Sequence, residues 1–320
     1  MIQNVIIAGN GFAGLWAAIA AARAAHVARK SDELAITVVS PVAELHMRPR
    51  LYEASLENMA PQPGPLFTAV GVRHVAGRIE QIDARGRQVE VVLNDGSRST
   101  LPYDRFVLAT GSQVLTPNVP GLTEHGFNVD QLQQAERLER HLQGLAGQPQ
   151  SEARDTVVVV GAGFTGIETA SDMPERLRAI LGQVANVRVL MLEYAPVVGP
   201  ELGAGPRPVI EEALREVGVE TFTSSGVAAI EADGVVIADG RRFYAATVIW
   251  TAGMRANPLA EQIGGEVDRF GRVHADPYLR ARRRRHLCQR RRGARRHRQR
   301  GQCGRVAAFA LARPDHVIVP

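Results

Sequence analysis

Short apolar runs alternate with helical patterns along most of the chain. Runs rich in Val, Ile and Leu have the length and β-branched composition of buried strands, at residues 5–8, 36–39, 103–112, 157–160, 187–192 and 247–253. Longer segments with helical patterns lie at residues 13–28, 129–145 and 208–217. Strands that alternate with helices in this way form parallel sheets that helices cover.

Two other segments alternate apolar and polar residues over shorter runs. The first spans residues 74–101 and includes the turn Asn-Asp-Gly at residues 94–96. The second spans residues 219–238 and is followed by the turn Asp239-Gly240. Runs of this kind between turn residues predict small antiparallel meanders. The sequence therefore predicts an α/β chain of two similar halves, each with a parallel sheet and a small antiparallel meander.

A glycine motif follows the first apolar run of each half. In the pattern G-x-G-x-x-G, the first glycine makes a tight turn and the second lets a pyrophosphate approach the backbone. The third lets the helix pack on the strand, so that the helix N-terminus faces the anion. Two such motifs predict two bound dinucleotides and two Rossmann-like three-layer domains, unless both are glycine-rich turns that bind nothing. The glycines are Gly9, Gly11 and Gly14, then Gly161, Gly163 and Gly166.

The two halves differ at the end of their second strand, where an acidic residue normally binds the ribose hydroxyls of a dinucleotide. The first half has Ser40 at this position, and the second half has Glu193 at nearly the same distance from its third glycine. A serine offers a single, weaker neutral partner. Glu193 accepts from a ribose hydroxyl and repels a 2′-phosphate, which favours NADH over NADPH.

The polar loop at residues 45–53 follows a predicted strand end, where ligands of such sheets bind. Arg48 and Arg50 are candidates for a pyrophosphate contact, and the alternative is a solvated loop. Small residues end the last predicted strand of each half, at residues 109–111 and 252–253. Such turns permit the close approach of a cofactor.

Composition narrows the class of protein further. No apolar run reaches the length of a membrane span, and no signal peptide is recognisable, so a cytoplasmic protein is expected. The only cysteines, Cys288 and Cys303, do not form a zinc or C-x-x-C pattern, and no metal site is predicted. The net charge of +5 comes from a block of arginines near the C-terminus, and the remainder of the chain is acidic.

The order of motifs over residues 1–278 resembles the two-dinucleotide flavoproteins, the FAD/NAD(P)-binding pyridine nucleotide oxidoreductases. The closest resemblance is to the type II NADH dehydrogenase-like members. It rests on the two glycine motifs and on Y-D-x-x-V-L-A-T-G at 103–111, V-P-G at 119–121, Ile-Glu at 167–168 and V-I-W-T-A-G at 248–253. The absence of a cysteine pair excludes the disulfide-reductase branch, which needs a redox dithiol beside the flavin.

The resemblance implies that the first domain binds FAD and the inserted second domain binds NADH. The expected boundaries are 1–117 with 262–280 for the FAD-binding domain, 118–261 for the NADH-binding domain and 281–320 for an arginine-rich tail. Glu168 corresponds to the family's glutamate near the nicotinamide–flavin contact and is the one residue expected to be catalytic. The other residues expected to bind the cofactors are Gly9, Gly11, Phe12, Ala13, Gly14, Ser40, Arg48, Ile79, Ala109, Thr110, Gly111, Gly161, Gly163, Phe164, Thr165, Gly166, Glu193, Ala252 and Gly253.

After residue 280 the family pattern stops and arginines dominate. One interpretation is a basic tail that binds nucleic acid or an anionic surface. The other is a shifted reading frame, because arginine codons read one base later encode Ala, Val, Gly, Asp or Glu and permit the family's A-x-G-D turn. The second interpretation implies the loss of part of the flavin site, and the gene sequence near Ala281 tests it.

The implied function is transfer of hydride from NADH to FAD and of electrons onward to a quinone-type or other small acceptor. Two alternatives stay open. One is an impaired dinucleotide-binding protein whose polybasic arm binds nucleic acid, although a nucleic-acid partner is not favoured. The other is an NADH reductase of an iron–sulfur protein. Peripheral membrane contact is a property of the family's C-terminal region that this sequence does not support.

Overall fold

The computed structural model describes residues 2–281 and 305–308. The chain folds into two compact units. The first unit takes the described residues of Met1–Leu45, Pro61–Gln113 and Arg255–Pro320. The second unit takes His46–Ala60 and Val114–Met254. Each unit contains one of the two glycine motifs.

Strands and helices follow one another in the predicted alternation. The chain begins with β1 (Gln3–Ala8), α1 (Phe12–Val27), β2 (Leu34–Ser40), α2 (Gly64–Ala69), β3 (Val72–Asp83), β4 (Gln88–Leu93), β5 (Arg98–Pro102), β6 (Arg105–Leu108) and β7 (Ser112–Val114). It continues with α3 (Leu122–His125), β8 (Gly126–Phe127), α4 (Leu132–Leu145), α5 (Glu152–Asp155), β9 (Thr156–Val160), α6 (Phe164–Leu181), β10 (Arg188–Leu192) and α7 (Arg207–Glu216). The remaining strands are β11 (Val219–Phe222), β12 (Val227–Glu231), β13 (Gly234–Ile237), β14 (Arg242–Tyr244), β15 (Thr247–Trp250), β16 (Met254–Ala256) and β17 (Arg305–Ala308).

The first unit is built on a seven-stranded sheet in the order β17-β6-β1-β2-β3-β4-β5. The strands from β17 to β3 are parallel, and β3, β4 and β5 pair antiparallel. Strand β3 belongs to both the parallel and the antiparallel part of the sheet, because residues 72–76 pair with β2 and residues 77–83 pair with β4. Ile7 packs with Ala18 of α1, whereas Ile6 packs with Phe106 on the other face. Burial on both faces explains the unbroken apolar run of β1.

The second unit has a five-stranded sheet in the order β11-β10-β9-β15-β8, and every pair in it is parallel. Strand β9 is buried at all five positions. Val159 packs with Met173 of α6 on one face, and Val158 packs with Val235 of the antiparallel meander β12-β13-β14 on the other. The predicted α/β fold of two units, each with a parallel sheet and a meander, is confirmed.

Two predicted elements have different bounds in the structure. The helix predicted from residue 129 begins at Leu132, because Gly126–Phe127 pairs with β15 and the backbone at Gln131 is still extended. The predicted polar linker at residues 146–154 contains the start of α5, which Ser151 caps by accepting a hydrogen bond from the Arg154 N–H.

Residues 46–60 pack with the second unit, although their position in the sequence groups them with the first glycine motif. The predicted frameshift, the basic tail and both cysteines fall on residues 282–304 and 309–320, outside the described residues. Between these segments, Arg305–Ala308 forms β17, which pairs in parallel with β6. In the described part of the chain, no helix is both long and apolar enough to cross a membrane.

Candidate functional site

The first glycine loop is held tightly between β1, β2 and β6. Gly9 has a φ of +102°, and its N–H donates to the Val39 carbonyl at 2.8 Å. A Cβ on Gly9 would lie 2.4 Å from the Ala109 carbonyl oxygen, and a Cβ on Gly14 would lie 2.0 Å from the Gly9 oxygen. These two positions therefore require glycine for backbone conformation and for close packing of α1 on the sheet.

The second glycine loop repeats this geometry in the second unit. Gly161 has a φ of +101°, and its N–H donates to the Leu192 carbonyl at 2.8 Å. A Cβ on Gly161 would lie 2.9 Å from the α-carbon of Ala252, and a Cβ on Gly166 would lie 1.8 Å from the Gly161 oxygen. The two loops are thus equivalent in conformation and in the packing that forces glycine.

The middle glycine of each loop has a different environment from the other two. A Cβ on Gly11 or on Gly163 would meet no atom within 4 Å. Both residues precede the first turn of a helix, and no side chain caps either helix. The loops therefore leave an open cradle in front of unpaired helix N–H groups, which is the arrangement that accommodates a pyrophosphate. On this observation both loops fit a dinucleotide.

Asn10 gives the first loop a further polar group. Its side chain is buried, and its Nδ2 donates to the Ala43 carbonyl at 2.6 Å. Its Oδ1 is buried without a hydrogen-bond partner among the described residues. A buried acceptor without a partner is costly, so a ligand that carries a donor would stabilise this arrangement. Nothing in the sequence marked Asn10 beyond its place inside the motif.

Ser40 lies at the end of β2, as predicted, and is buried. Its hydroxyl donates to the Val42 carbonyl at 2.6 Å, and its Oγ lies 2.9 Å from Nε2 of His74. Because the single hydroxyl proton goes to Val42, Ser40 has only acceptor capacity left for a ribose hydroxyl. His74 comes from β3, and nothing in the local sequence indicated that it pairs with Ser40.

Glu193 lies at the equivalent place in the second unit, directly after β10. Its Oε2 accepts from the Ala162 N–H at 2.6 Å, and its Oε1 accepts from the Ala195 N–H at 2.7 Å. The carboxylate is therefore fixed against the glycine loop by the protein's own backbone. Each oxygen keeps a further lone pair for a ribose hydroxyl.

The small-residue turns predicted at the strand ends lie beside the glycine loops of their own units. Ala109 contacts Gly9 as described, and Gly111 has a φ of +69°. In the second unit Ala252 contacts Gly161, and Gly253 has a φ of +78°. The first residues of α1 and α6 complete the two loops, namely Phe12 and Ala13 in the first unit and Phe164 and Thr165 in the second. Phe12 and Phe164 are both exposed.

Three other predicted site residues have different surroundings. The guanidinium of Arg48 donates to the carboxylate and to the backbone carbonyl of Asp130, both in the second unit. Arg50 pairs with the nearby Glu53 at the surface. The side chain of Ile79 packs in the core of the first unit and is 5% exposed. The guanidinium groups of Arg48 and Arg50 are thus each paired with a carboxylate, and the Ile79 side chain is buried.

Glu168 lies on the second turn of α6 and belongs to a polar row that continues along the helix at Asp172 and Arg176. Burial by neighbouring groups raises the pKa of Glu168. Tyr52 lies close enough that the charge of Glu168 also raises the pKa of the Tyr52 phenol, after the larger effect of burial. A carboxyl that resists ionisation is able to hold a proton nearer to neutral pH than an ordinary glutamate.

Arg176 anchors this row and was not predicted from the sequence. It is 7% exposed, its Nη1 donates to the Tyr52 carbonyl at 3.0 Å, and its Nη2 donates to the Glu139 carboxylate. Asp172 lies 3.7 Å from the Arg176 guanidinium. Arg176 thereby ties residues 46–60 and α4 to α6.

Two glycine loops of the same geometry, each between a parallel strand and a helix, define a protein with two dinucleotide-binding units. Comparison with known families agrees with this class. Residues 3–285 match the model of the pyridine nucleotide-disulphide oxidoreductase family. The chain belongs to this family, whose members are oxidoreductases that use FAD and a nicotinamide dinucleotide.

Individual relatives narrow the comparison. The chain is 46% identical over 288 residues to an NADH dehydrogenase-like protein of Mycobacterium tuberculosis, covering 87% of this chain and 70% of the relative. It is 30% identical over 305 residues to a type II NADH:quinone oxidoreductase of the same organism, of which it covers 63%. By class, the chain is an NADH-linked flavin oxidoreductase.

Solved structures share the fold. A NAD-dependent persulfide reductase from A. fulgidus superimposes with a TM-score of 0.69 and 26% identity, covering 87% of this chain and 51% of that one. The NDH2 of Plasmodium falciparum bound to NADH superimposes with a TM-score of 0.73 and 14% identity, covering 88% of this chain and 62% of that one. The chain therefore spans about half to two thirds of these longer proteins.

Proposed function

We propose that the chain transfers hydride from NADH, bound at the second glycine loop, to FAD, bound at the first loop, and passes the electrons to a quinone-type acceptor. The observation that carries this proposal is the repeated open cradle at Gly11 and Gly163. One cradle per unit accommodates one pyrophosphate per unit, and two dinucleotides are what hydride transfer between cofactors requires.

The assignment of NADH to the second loop rests on Glu193. Its carboxylate is held by the Ala162 and Ala195 N–H groups, and each of its oxygens keeps a lone pair that can accept from a ribose hydroxyl. A 2′-phosphate at the same place would face a fixed negative charge, so NADPH is disfavoured. Ser40 carries no charge and supplies at most one acceptor, so it would bind the FAD ribose at the first loop more weakly than an acidic residue.

The remaining predicted residues have subordinate roles in this proposal. The Ala109–Thr110–Gly111 turn and the Ala252–Gly253 turn keep the strand ends free of bulky side chains beside the cofactors. Glu168, whose pKa burial raises, is the residue proposed to lie near the nicotinamide–flavin contact. Bound FAD supplies the electron-accepting chemistry, and the protein binds, orients and shields it.

The quinone-type acceptor is proposed from the relatives whose names state that activity, the type II NADH:quinone oxidoreductases of Mycobacterium tuberculosis and of Staphylococcus species. A demethylphylloquinone reductase of Synechocystis is a further relative, 27% identical over 271 residues. These names describe quinones of several kinds, so the proposal extends to the quinone class and not to one quinone.

Absorbance spectroscopy tests the proposal directly. The purified chain, supplied with FAD and separated from the excess, is expected to show the flavin spectrum and to lose it on anaerobic addition of NADH. A short-chain quinone should restore the oxidised spectrum, whereas NADPH at the same concentration should bleach the flavin far more slowly. A chain that retains no FAD, or whose flavin reoxidises with an iron–sulfur protein and not with a quinone, contradicts the proposal.

A further inference from the structure

Tyr194 is the residue directly after Glu193, and its side chain is 85% exposed. One edge of its ring lies beside Gly226, because a Cβ on Gly226 would be 3.2 Å from the Cδ2 atom and 3.6 Å from the Cε2 atom of Tyr194. Any larger residue at position 226 would push the ring away. The ring is thus almost fully open to solvent, with one edge beside Gly226.

The backbone on both sides of Tyr194 is fixed by hydrogen bonds. The Ser225 N–H donates to the Glu193 carbonyl at 2.8 Å, and the Ser224 N–H donates to the Ala195 carbonyl at 2.9 Å. The buried Ser225 hydroxyl in turn donates to the Thr223 carbonyl at 3.0 Å. The backbone that carries the exposed ring is therefore preorganised.

We propose that the exposed ring of Tyr194 is a stacking platform for the adenine ring of the dinucleotide bound at the second glycine loop. This inference rests on the proposed function, which places the adenosine ribose at Glu193. Because adenine is attached to that ribose, the residue next to Glu193 is the nearest side chain of the turn that can meet the base. A flat, exposed aromatic ring is suited to this contact, since every base has a π-face on which it stacks.

The first unit supports the assignment by contrast. There the residue after Ser40 is Pro41, which has no aromatic ring. The two glycine loops have the same geometry. The two units therefore differ in the residue that would contact the adenine end of the dinucleotide. The platform is a property of the second unit, and it adds affinity for the adenine end of the ligand.

Calorimetric titration of the full chain with three ligands tests the platform. AMP carries the adenine and ribose, reduced nicotinamide mononucleotide lacks the adenine, and NADH has both parts. Y194A is expected to raise the Kd for AMP and for NADH by roughly tenfold. The Kd for reduced nicotinamide mononucleotide should not change. Y194F keeps the ring and should bind all three ligands within about twofold of the unaltered chain.

Y244A is the matched control, because Tyr244 is a partly exposed tyrosine of the same unit, on β14. It should leave the three Kd values unchanged, and circular dichroism checks that each variant is folded. The proposal is overturned if Y194A binds AMP as tightly as the unaltered chain, if the unaltered chain binds no AMP, or if Y194F loses as much affinity as Y194A. AMP binding needs no flavin. If AMP binding depends on Tyr194 but hydride transfer fails, the result contradicts the proposed function and leaves the stacking platform supported.

Discussion

The carboxylate of Glu193 accepts a hydrogen bond from the backbone N–H of Ala162 at 2.6 Å. This bond joins the end of β10 to the middle of the second glycine loop, so the carboxylate proposed to bind the ribose is held directly by the loop proposed to receive the pyrophosphate. The charge of Glu193 is compensated by two backbone N–H groups in the folded chain. A ligand therefore meets a site whose geometry is already set.

Replacing Glu193 with glutamine should weaken NADH binding and reduce the preference for NADH over NADPH. The amide has one acceptor oxygen, so either Ala162 or Ala195 loses its partner, and the charge that repels a 2′-phosphate is gone. We expect the Kd for NADH to rise by roughly tenfold. Fluorescence titration with both nucleotides measures the change. Glu220→Gln, an exposed residue paired with Arg188, is the control and should bind like the unaltered chain.

Replacing the middle glycine of each loop with alanine should impair FAD binding and NADH binding separately. At Gly11 and at Gly163 the φ values of −74° and −78° suit alanine, and the new Cβ would meet no protein atom. G11A should retain its unfolding temperature and lose FAD, whereas G163A should retain FAD and raise the Kd for NADH by at least about tenfold. Flavin content and NADH titration measure these effects.

The third glycine provides the contrast to that experiment. A Cβ at Gly14 would lie 2.0 Å from the Gly9 oxygen, so G14A should lower the free energy of unfolding by about 3 kcal/mol. Equal loss of stability in G11A and G14A would show that the middle glycine is needed for folding and not for a ligand. Chemical denaturation of both variants distinguishes the two cases.

Removal of the Arg176 side chain should destabilise the second unit strongly. Arg176→Ala leaves Glu139 and the Tyr52 carbonyl without their buried donor, and breaking such a pair costs about 3 kcal/mol. Urea denaturation measures the free energy of unfolding. Arg215→Ala removes an arginine that pairs with Glu212 on the surface, and it should cost at most about 1 kcal/mol. A similar cost for both substitutions would contradict the structural role given to Arg176.

Asp172→Asn should stabilise the chain at neutral pH and not in acid. Burial raises the pKa of Asp172 above its ordinary value of 3.8, and nearby Glu175 and Glu53 raise it further, against an opposite effect of Arg176. The folded chain therefore holds this proton more tightly than the unfolded chain, so stability falls as pH rises from the ordinary pKa through the raised one. Asparagine does not ionise, so the variant does not lose this stability as pH rises.

The measurement is the unfolding temperature of Asp172→Asn and of the unaltered chain, followed from acidic to neutral pH. The difference between them should be small in acid and should grow in favour of the variant as pH rises. Glu211→Gln, which removes an exposed carboxylate from α7 that does not act on Asp172, is the control. A difference that shrinks with rising pH would show that the ion pair with Arg176 outweighs the burial of Asp172.

Much of the fold follows from local sequence. The runs of β1 and β9 are apolar at successive positions because both of their faces are buried, and the glycine motifs follow them directly. Positive φ at Gly9 and Gly161, and close packing at Gly14 and Gly166, are demands that only glycine meets, so the motif spacing alone predicted both loops. The predicted start of α4 at residue 129 was wrong, because the local pattern of residues does not show that Gly126–Phe127 pairs with β15.

The sequence by itself determined that the chain has two units, each with a dinucleotide loop, because those features depend on residues close together in the chain. Only the tertiary structure decided which polar groups are already paired. Ser40 forms a hydrogen bond with His74, Arg48 forms an ion pair with Asp130, and Arg176 donates a hydrogen bond to the Tyr52 carbonyl. Hydrogen bonds and ion pairs between such distant residues depend on how strands and helices pack, and no local pattern of residue types encodes that packing. The same packing left the ring of Tyr194 exposed to solvent, with one edge beside Gly226.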